Sequence, residues 1–597
     1  MRRSHWLKGN KGSPLPQNCI WVDTETRERR VSRNTVSHHL WFGWAVWQRT
    51  ATEDQGRGTT WKRFESQLAF WRWVISKTRP KTRLYVFAHN WAFDAPVLAT
   101  FRILPSLGWT LQRAIIESPP VILVWRKGDR VIEMLDTLNW WRHTLKSIGR
   151  TLGLDKLKMP ALAGSKSTWD RYCRNDVEII RRACLGWWDF LRVNDLGGFA
   201  RTLAGQAMRS YRHRYMDHPI LIDADARALA LARSAFHGGR TEAFRIGKVK
   251  GPVHCLDVNS MYPFVMLDRL FPSELKAVSV RPSLKELARW LKRYAIVARV
   301  RLETKEPRYA HRQGDKLVFP VGRLITTLTS PDLLSALKHG EIAMVESAAV
   351  YVRGQLFHRF VTDLYARRQE ATARGDDVSR YQLKILMNSL YGKWAQRGTV
   401  WETCGDTSDP SPRSWIEFDA DTGTRRLLRQ FGGTVQFKAD DPEAPASHPA
   451  IAAHVTAYAR EFLWRLMLRA GKGNVLYCDT DSLYVTSEGR RRLDPLIDAE
   501  RLGALKVEAT YPWLRIHGAK DYETPDGRVC KGIRDSAVSV GHNAFLQDKW
   551  ASLSGLLRTG QLEAPTTQRQ LKRLSRIYSK GIVHSGGVVS PLTLREW

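Results

Sequence analysis

The stretch "NVLYCDTDSLYV", Asn474 to Val485, sets the acidic tetrapeptide D-T-D-S between two apolar, β-prone runs. Apolar flanks around a short polar centre are the pattern of a β-hairpin with its turn at the tip. Asp479 and Asp481 are therefore expected on or beside that turn. Alone, the tetrapeptide is open to two readings. It is a solvated turn, since Asp and Ser are ordinary turn residues, or a divalent-cation site, since hard cations take carboxylate oxygens on a rigid support.

Upstream, "VHCLDV" (253–258) reads as a strand that ends on Asp257, followed by a turn through Asn259, Ser260 and Pro263. Between the two acidic motifs lies "SRYQLKILMNSLYGKW" (379–394). At helical spacing, Arg380, Lys384, Asn388 and Tyr391 fall within roughly 80 degrees of arc, while Leu383, Leu386, Met387 and Leu390 form an apolar sector. This is an amphipathic surface helix, or a helix offering two cations, an amide and a phenol to a ligand. An Asp after a strand, a cationic helix face and an Asp pair on a hairpin together suit nucleotidyl transfer. Carboxylates hold two divalent ions, and cations neutralise a triphosphate.

Taken in order, "DVNSMYP", "KILMNSLYG" and "YCDTDS" resemble the three polymerase motifs of family B DNA polymerases, in wording closest to the protein-primed branch of phi twenty-nine-type phages. The resemblance implies Asp257 and Asp481 as metal ligands with Asp479 beside them, and a metal contact from the backbone of Val258. It implies Tyr262 under the sugar, excluding a 2'-hydroxyl, and Lys384 on the incoming triphosphate with Arg380 and Arg368. Asn388 and Tyr391 would line the nucleotide pocket. "GAKDYE" resembles the K-x-Y motif, which implies primer contacts for Lys520 and Tyr522. "FHGGR" departs from the branch, which has Tyr before x-G-G. Phe236 keeps the ring without the hydroxyl, and Gly238 and Gly239 permit close approach of a DNA strand.

The family also carries a 3'-5' exonuclease, and the amino-terminal third can be tested for its ligands. "WVDTET" supplies Asp23 and Glu25, "AHNWAFDAPVL" supplies Asn90 and Asp94, and "YCRNDVEII" supplies Tyr172 and Asp176. Four carboxylates from three segments would hold two metals, and the Tyr172 hydroxyl would orient the attacking water. By resemblance Lys158, in "DKLKMP", assists this step. His89, Asn90, Phe93, Thr137 and Leu138 resemble single-strand contacts, or are a buried aromatic and strand ends.

With Lys+Arg 94 against Asp+Glu 59, the formal charge of +35 is spread along all 597 residues. Such a field favours polyanions, nucleic acid first, with ribosomal and membrane-surface proteins as alternatives. The 24 Trp and 17 Tyr offer stacking platforms, although most are expected in cores. Seven cysteines without a C-x-x-C pair argue against a disulfide framework or zinc ribbon. No apolar run suits a signal peptide or a membrane span. These features set the expectation of a cytoplasmic protein, and the resemblance to phage enzymes implies the cytoplasm of a prokaryotic host if the chain is phage- or plasmid-encoded.

The expected fold is multidomain α/β and α+β: a ribonuclease H-like exonuclease unit (1–190), then a right hand of palm, fingers and thumb. A linker and the first palm segment span 191–263. An insertion contacting priming protein and DNA spans 264–360, where "SPDLLSAL" with Asp332 resembles the branch's helix. The fingers cover 361–396, and a second insertion, the strand-displacement hairpin, covers 397–446. Palm (447–525) and thumb (526–597) follow. Stretches 405–413 and 440–449 read as loops. Expected partners are primer-template and single-stranded DNA, dNTPs and a terminal protein, with a monomer that needs two magnesium ions per site, manganese being an alternative. The rival readings are a family B enzyme extending ordinary or self-made primers, and an inactive DNA-binding protein that kept the fold.

Overall fold

The computed structural model describes residues 3–49, 58–116, 119–398, 401–409, 411–418, 420–421, 423–439 and 443–597. Alternation of apolar runs with polar turns gives four substantial sheets, two of which carry the candidate sites.

The first sheet is built on Cys19–Ser32, whose run Cys19–Val22 is fully buried, with Arg83–Ala88 and Arg130–Asp136 parallel beside it. The hairpin partner Thr35–Gln48 runs antiparallel. The 28-residue helix Lys166–Val193 packs on these strands. Its buried stripe includes Val177, Ile180, Cys184, Trp187 and Leu191 at 3–4 residue spacing, the signature of a helix lying on a core. Ser165 caps its first turn by accepting from the Thr168 amide.

This sheet does not end with the amino-terminal unit. Thr566–Gln568 pair with Ser37–Thr35, and Ala544–Trp550 and Val538–Gly541 extend the sheet outward. Leu553, Leu556, Leu557 and Leu562 join the same buried cluster as Phe70, Trp91 and Trp125. The segment 526–597, expected as a separate thumb, is thus divided. Val538–Gly541, Ala544–Trp550 and Thr566–Arg573 complete the first sheet, Gly527–Cys530 joins the second, and Thr593–Arg595 adds to the sheet of the first insertion.

The second sheet has seven strands, in the order Thr241–Ala243, Val475–Asp479, Ser482–Thr486, Gly247–Val258, Leu505–Gly518, Asp521–Thr524, Gly527–Cys530. The opening stretch forms the expected hairpin, with Asp479 opposite Ser482, and Ser482 in turn opposite Asp257. Helices Met261–Leu267 and Pro449–Ala470 pack together beside it, with helices His358–Ala373 and Asp377–Trp394 against them. Leu383, Leu386, Met387 and Leu390 are buried as expected.

Residues 271–354 form a third sheet with its own core, Leu287, Val300, Leu324 and Leu333 among it. Trp401–Asp406, Arg413–Phe418, Arg425–Phe431 and Thr434–Lys438 make a fourth. Strand ends therefore reach into 405–413, expected as loop. In the other expected loop, Pro449 opens a helix, where its missing amide costs nothing; positions 440–442 lie outside the described residues. The fourth sheet is anchored on the first through Phe431, 5.5 Å from the Phe101 ring, and through Arg429, which donates to Ala114 O at 2.9 Å.

Candidate functional site

Three strand segments of the seven-stranded sheet bring Asp257, Asp479 and Asp481 together. Hairpin registry leaves Thr480 and Asp481 as a two-residue turn. Thr480 is left-handed at φ 64°, an uncommon state for a β-branched residue that persists only where surroundings enforce it. Here the Thr480 amide donates to Arg240 O at 2.7 Å, and the Val258 amide donates to Asp481 O at 2.9 Å. The turn is thereby tied to both neighbouring segments.

Asp257 and Asp481 share a wall of an open cavity of about 1040 Å³ with Val258, Arg368, Arg380, Lys384 and Asn388. Burial, then Asp481 and Glu508, push the Asp257 carboxyl up to about 7 against the pull of Lys384 and Lys506. Burial likewise raises Asp481. Asp479 is turned elsewhere: Lys520 Nζ lies 3.0 Å from Oδ1, which also accepts from Thr241 Oγ1 at 2.9 Å. Tyr522 accepts from Tyr484 OH at 2.8 Å, beside the same strands. Tyr262 and Tyr391 stack with centroids 4.1 Å apart and planes at 24°. Arg380 is drawn toward Asp377 at 2.8 Å, and the Asn388 amide donates to Lys384 O on its own helix. Glu508 and Lys506, both on the cavity wall, escaped sequence reading because their strand shows no motif.

The structure gives Gly239 a reason different from the expected DNA approach. A Cβ there would lie 2.7 Å from Thr480 Cγ2, whereas one at Gly238 would meet nothing within 4 Å. Gly238 keeps the open surface, and Gly239 makes room for the hairpin turn. Phe236 packs partly buried against the cores below. Asp332 is 8% exposed and faces Arg460, so it is not free to touch a partner.

The first sheet brings Asp23, Glu25, Asp94, Tyr172 and Asp176 to a second cluster. Thr24 donates to Asp94 Oδ1 at 2.6 Å, fixing the helix carboxyl to the strand. Burial, then Asp176, push Glu25 up to about 8, and burial pushes Asp94 to about 7 against the Thr24 hydrogen bond. Asp23 is raised well above the usual carboxylate range by burial and then by Asp176, Asp94 and Glu25. So many like charges in one buried place are stable only with a counter-charge, and carboxylate oxygens suit a hard divalent cation.

The lysine at this cluster is Lys156, not Lys158. Lys156 pairs with Asp176 Oδ2 and lies 4.5 Å from the Tyr172 ring centroid; Lys158 is exposed two residues on in the same coil. His89, Asn90, Thr137 and Leu138 gather around Asp136, whose carboxylate accepts from the amides of Asn90, Trp91 and Leu138 at 3.0, 2.8 and 2.9 Å. His89 Nδ1 lies 2.8 Å from Thr137 Oγ1. Phe93 meets His38 and Trp550 edge-on, at 5.5 and 5.6 Å. Asp136, His38 and Trp550 carry no local sequence signal.

Residues 166–403 match the family described as "DNA polymerase type B, organellar and viral". That segment is similar to the type B DNA polymerases. The chain is 24% identical to a DNA polymerase of Kluyveromyces lactis over 64% of this chain and 40% of that one. It is 24% identical to the DNA-directed DNA polymerase of Enterobacteria phage PRD1 over 58% of each, so the chain spans less than two thirds of either relative. With the DNA polymerase of Bacillus phage PZA it shares 23% identity over 79% of this chain and 84% of that one. In fold it matches phi29 DNA polymerase in complex with primer-template DNA, at a TM-score of 0.64 and 18% identity, over 94% of this chain and 100% of that one. The multidomain α/β architecture therefore has the fold of that structure. Among the described residues, no helix is long and apolar enough to cross a membrane.

Proposed function

We propose that this chain is a DNA-directed DNA polymerase that extends a primer by nucleotidyl transfer and edits it with a 3'-5' exonuclease. The observation that carries the reading is the shared cavity. Asp257 and Asp481 line it together with Arg368, Arg380 and Lys384, and the Tyr262–Tyr391 stack joins the two helices Met261–Leu267 and Asp377–Trp394. The donor set fits hard cations, since both carboxyls are raised by burial and Asp257 also by its neighbour's charge. Asp257, Asp481 and the Val258 backbone would hold two magnesium ions, which when bound lower the charge on the attacking and leaving oxygens.

The chain's own residues do the rest. Lys384, Arg380 and Arg368 bind the triphosphate from the helix side. The stacked Tyr262 fills the space a 2'-hydroxyl would need, which favours deoxynucleotides. Lys520, held to Asp479, steadies the primer end. In the first unit, Asp23, Glu25, Asp94 and Asp176 would hold the editing metals, Tyr172 orients water, and Lys156 offsets charge on the cleaved phosphate. The five residues around Asp136 and Phe93 form the single-strand path. Manganese suits the same oxygens as magnesium.

The open groove and excess of basic charge suit duplex DNA bound through phosphates. Protein priming is the reading favoured for initiation, with the unit 271–354 as the surface for a terminal protein, and the sheet 401–438 as the strand-displacing element. An enzyme using ordinary primers is the second reading.

Extension of a primed template with dNTPs and magnesium tests the proposal. Asp481→Ala is expected to abolish extension and leave degradation, and Asp23→Ala/Glu25→Ala the reverse. A wild-type chain that neither extends nor degrades, across metals and salt concentrations, returns the reading to a DNA-binding protein.

A further inference from the structure

Cys173 lies in the carboxylate cluster of the first unit, between Tyr172 and Asp176 on one helix, and neither the motifs nor the proposed mechanism uses it. Its sulfur is 3.7 Å from Asp23 Oδ2, and one ligand atom each of Asp23, Glu25 and Cys173 lie within 4.8 Å of one another. A zinc-class ion bonded at about 2.3 Å to sulfur and about 2.0–2.2 Å to oxygen in tetrahedral geometry separates the two donors by about 3.5 Å. The observed spacing is close to that.

A second observation points to the same place. Asp176 is 3% exposed; its Oδ2 takes Lys156, but its Oδ1 is buried and without a hydrogen bond. Asp176 is also the strongest charge acting on both Asp23 and Glu25. Asp176 thus places an unpartnered, buried acceptor next to the group of three, although it is not itself one of them.

We propose that Cys173 makes this cluster a mixed oxygen–sulfur centre that captures a thiophilic divalent cation, of the zinc or cadmium class, in preference to magnesium. The inference rests on the reading of the cluster as a metal site and adds a ligand to it. On binding, the sulfur–hydrogen bond breaks, the sulfur–metal bond forms, and the proton leaves to solvent; nothing is oxidised. Magnesium demands oxygen donors in octahedral array, whereas a thiolate selects softer ions. A bound zinc-class ion would close the editing site while the cavity at Asp257 stays open to magnesium, which converts the enzyme toward synthesis without editing. Among the described residues this is the only group of three such ligands within bonding range of one ion.

The test titrates cadmium into the full chain carrying Cys404→Ser and Cys530→Ser, which removes the two cysteines that are not buried. The sulfur-to-cadmium absorption band and proton release are read together. One saturating band is expected, with more protons released than in Cys173→Ser, which should lack the band and bind cadmium about tenfold or more weakly. An unchanged band and affinity in Cys173→Ser overturn the proposal, as does a parent protein without the band. If Cys173→Ser does not fold, Glu25→Gln and Asp23→Asn keep the thiol and must still lose the band; persistence overturns the proposal. Magnesium-dependent primer degradation on the parent separates the two readings: degradation without a band defeats the mixed centre alone, and a band without degradation defeats the exonuclease alone.

Discussion

Glu25 and its neighbours set the behaviour of the first unit at the scale of single residues. A carboxyl whose folded value is raised holds its proton above the pH at which the unfolded chain releases it, so stability falls as pH rises from the unfolded to the folded value. For Glu25 that window runs from the ordinary carboxylate range up to about 8. In metal-free buffer, Tm of the wild type is expected to fall relative to Glu25→Gln between pH 5 and 8, and added magnesium to restore it more at pH 8 than at pH 6. Thermal melts across that range check this; a constant difference between the proteins defeats it. Lys156 gives a second prediction. Burial disfavours its ammonium, but Asp176 beside it more than compensates and raises its pKa. Lys156→Ala is expected to slow primer degradation by about 10² to 10³-fold, the usual cost of a lost charge at a reacting phosphate. Lys158→Ala, exposed, should leave it within about twofold. Sequence could not choose between them, because alternate lysines in a coil have no period to say which faces inward.

At the scale of elements, the hairpin at 474–485 and the helix at 377–394 were readable because each is a local pattern: a polar break between β-prone runs, and apolar residues at 3–4 spacing. What makes the hairpin a site is not local. Thr480 holds φ 64° only because Arg240 O accepts its amide and Gly239 leaves its side chain room, and Arg240 is some 240 residues away in sequence. Gly239→Ala is therefore expected to push the turn, and with it Asp481, out of place. Displacement of a reacting group by about 1 Å commonly costs about 10²-fold, so extension should fall by about tenfold or more while primer degradation persists. Gly238→Ala meets no atom within 4 Å; its Tm should match the wild type within the effect of about 0.5 kcal/mol usual for surface changes, and any loss should appear as weaker DNA binding. Equal effects of the two alanines on extension and on Tm would contradict the assignment.

At the scale of the whole molecule, segments more than 500 residues apart in sequence meet in one sheet. Thr566–Gln568 satisfy the edge of Thr35–Ser37, His38 Nε2 lies 2.8 Å from Thr567 Oγ1, and four leucines from 553–562 complete the core of the first unit. Separations above 500 residues leave no trace in local pattern, which is why boundaries drawn from sequence ended the first unit at 190. An edge strand stripped of its partner exposes unpaired amides and carbonyls and invites association, and loss of the leucines opens a cavity in the core. This sheet also joins the buried carboxylate cluster to the segment that Trp550 belongs to, since Trp550 stacks on His38 at 5.0 Å and meets Phe93 beside Asp94. A fragment ending at residue 190 is therefore expected to associate or melt well below the full chain, and adding residues 538–573 in trans, or through a flexible linker, to recover part of the difference. Calorimetry and light scattering on the fragment, alone and reconstituted, decide it. A monomeric fragment with the full chain's Tm would mean that the first unit folds without its distant strands and that the shared sheet is a contact surface only.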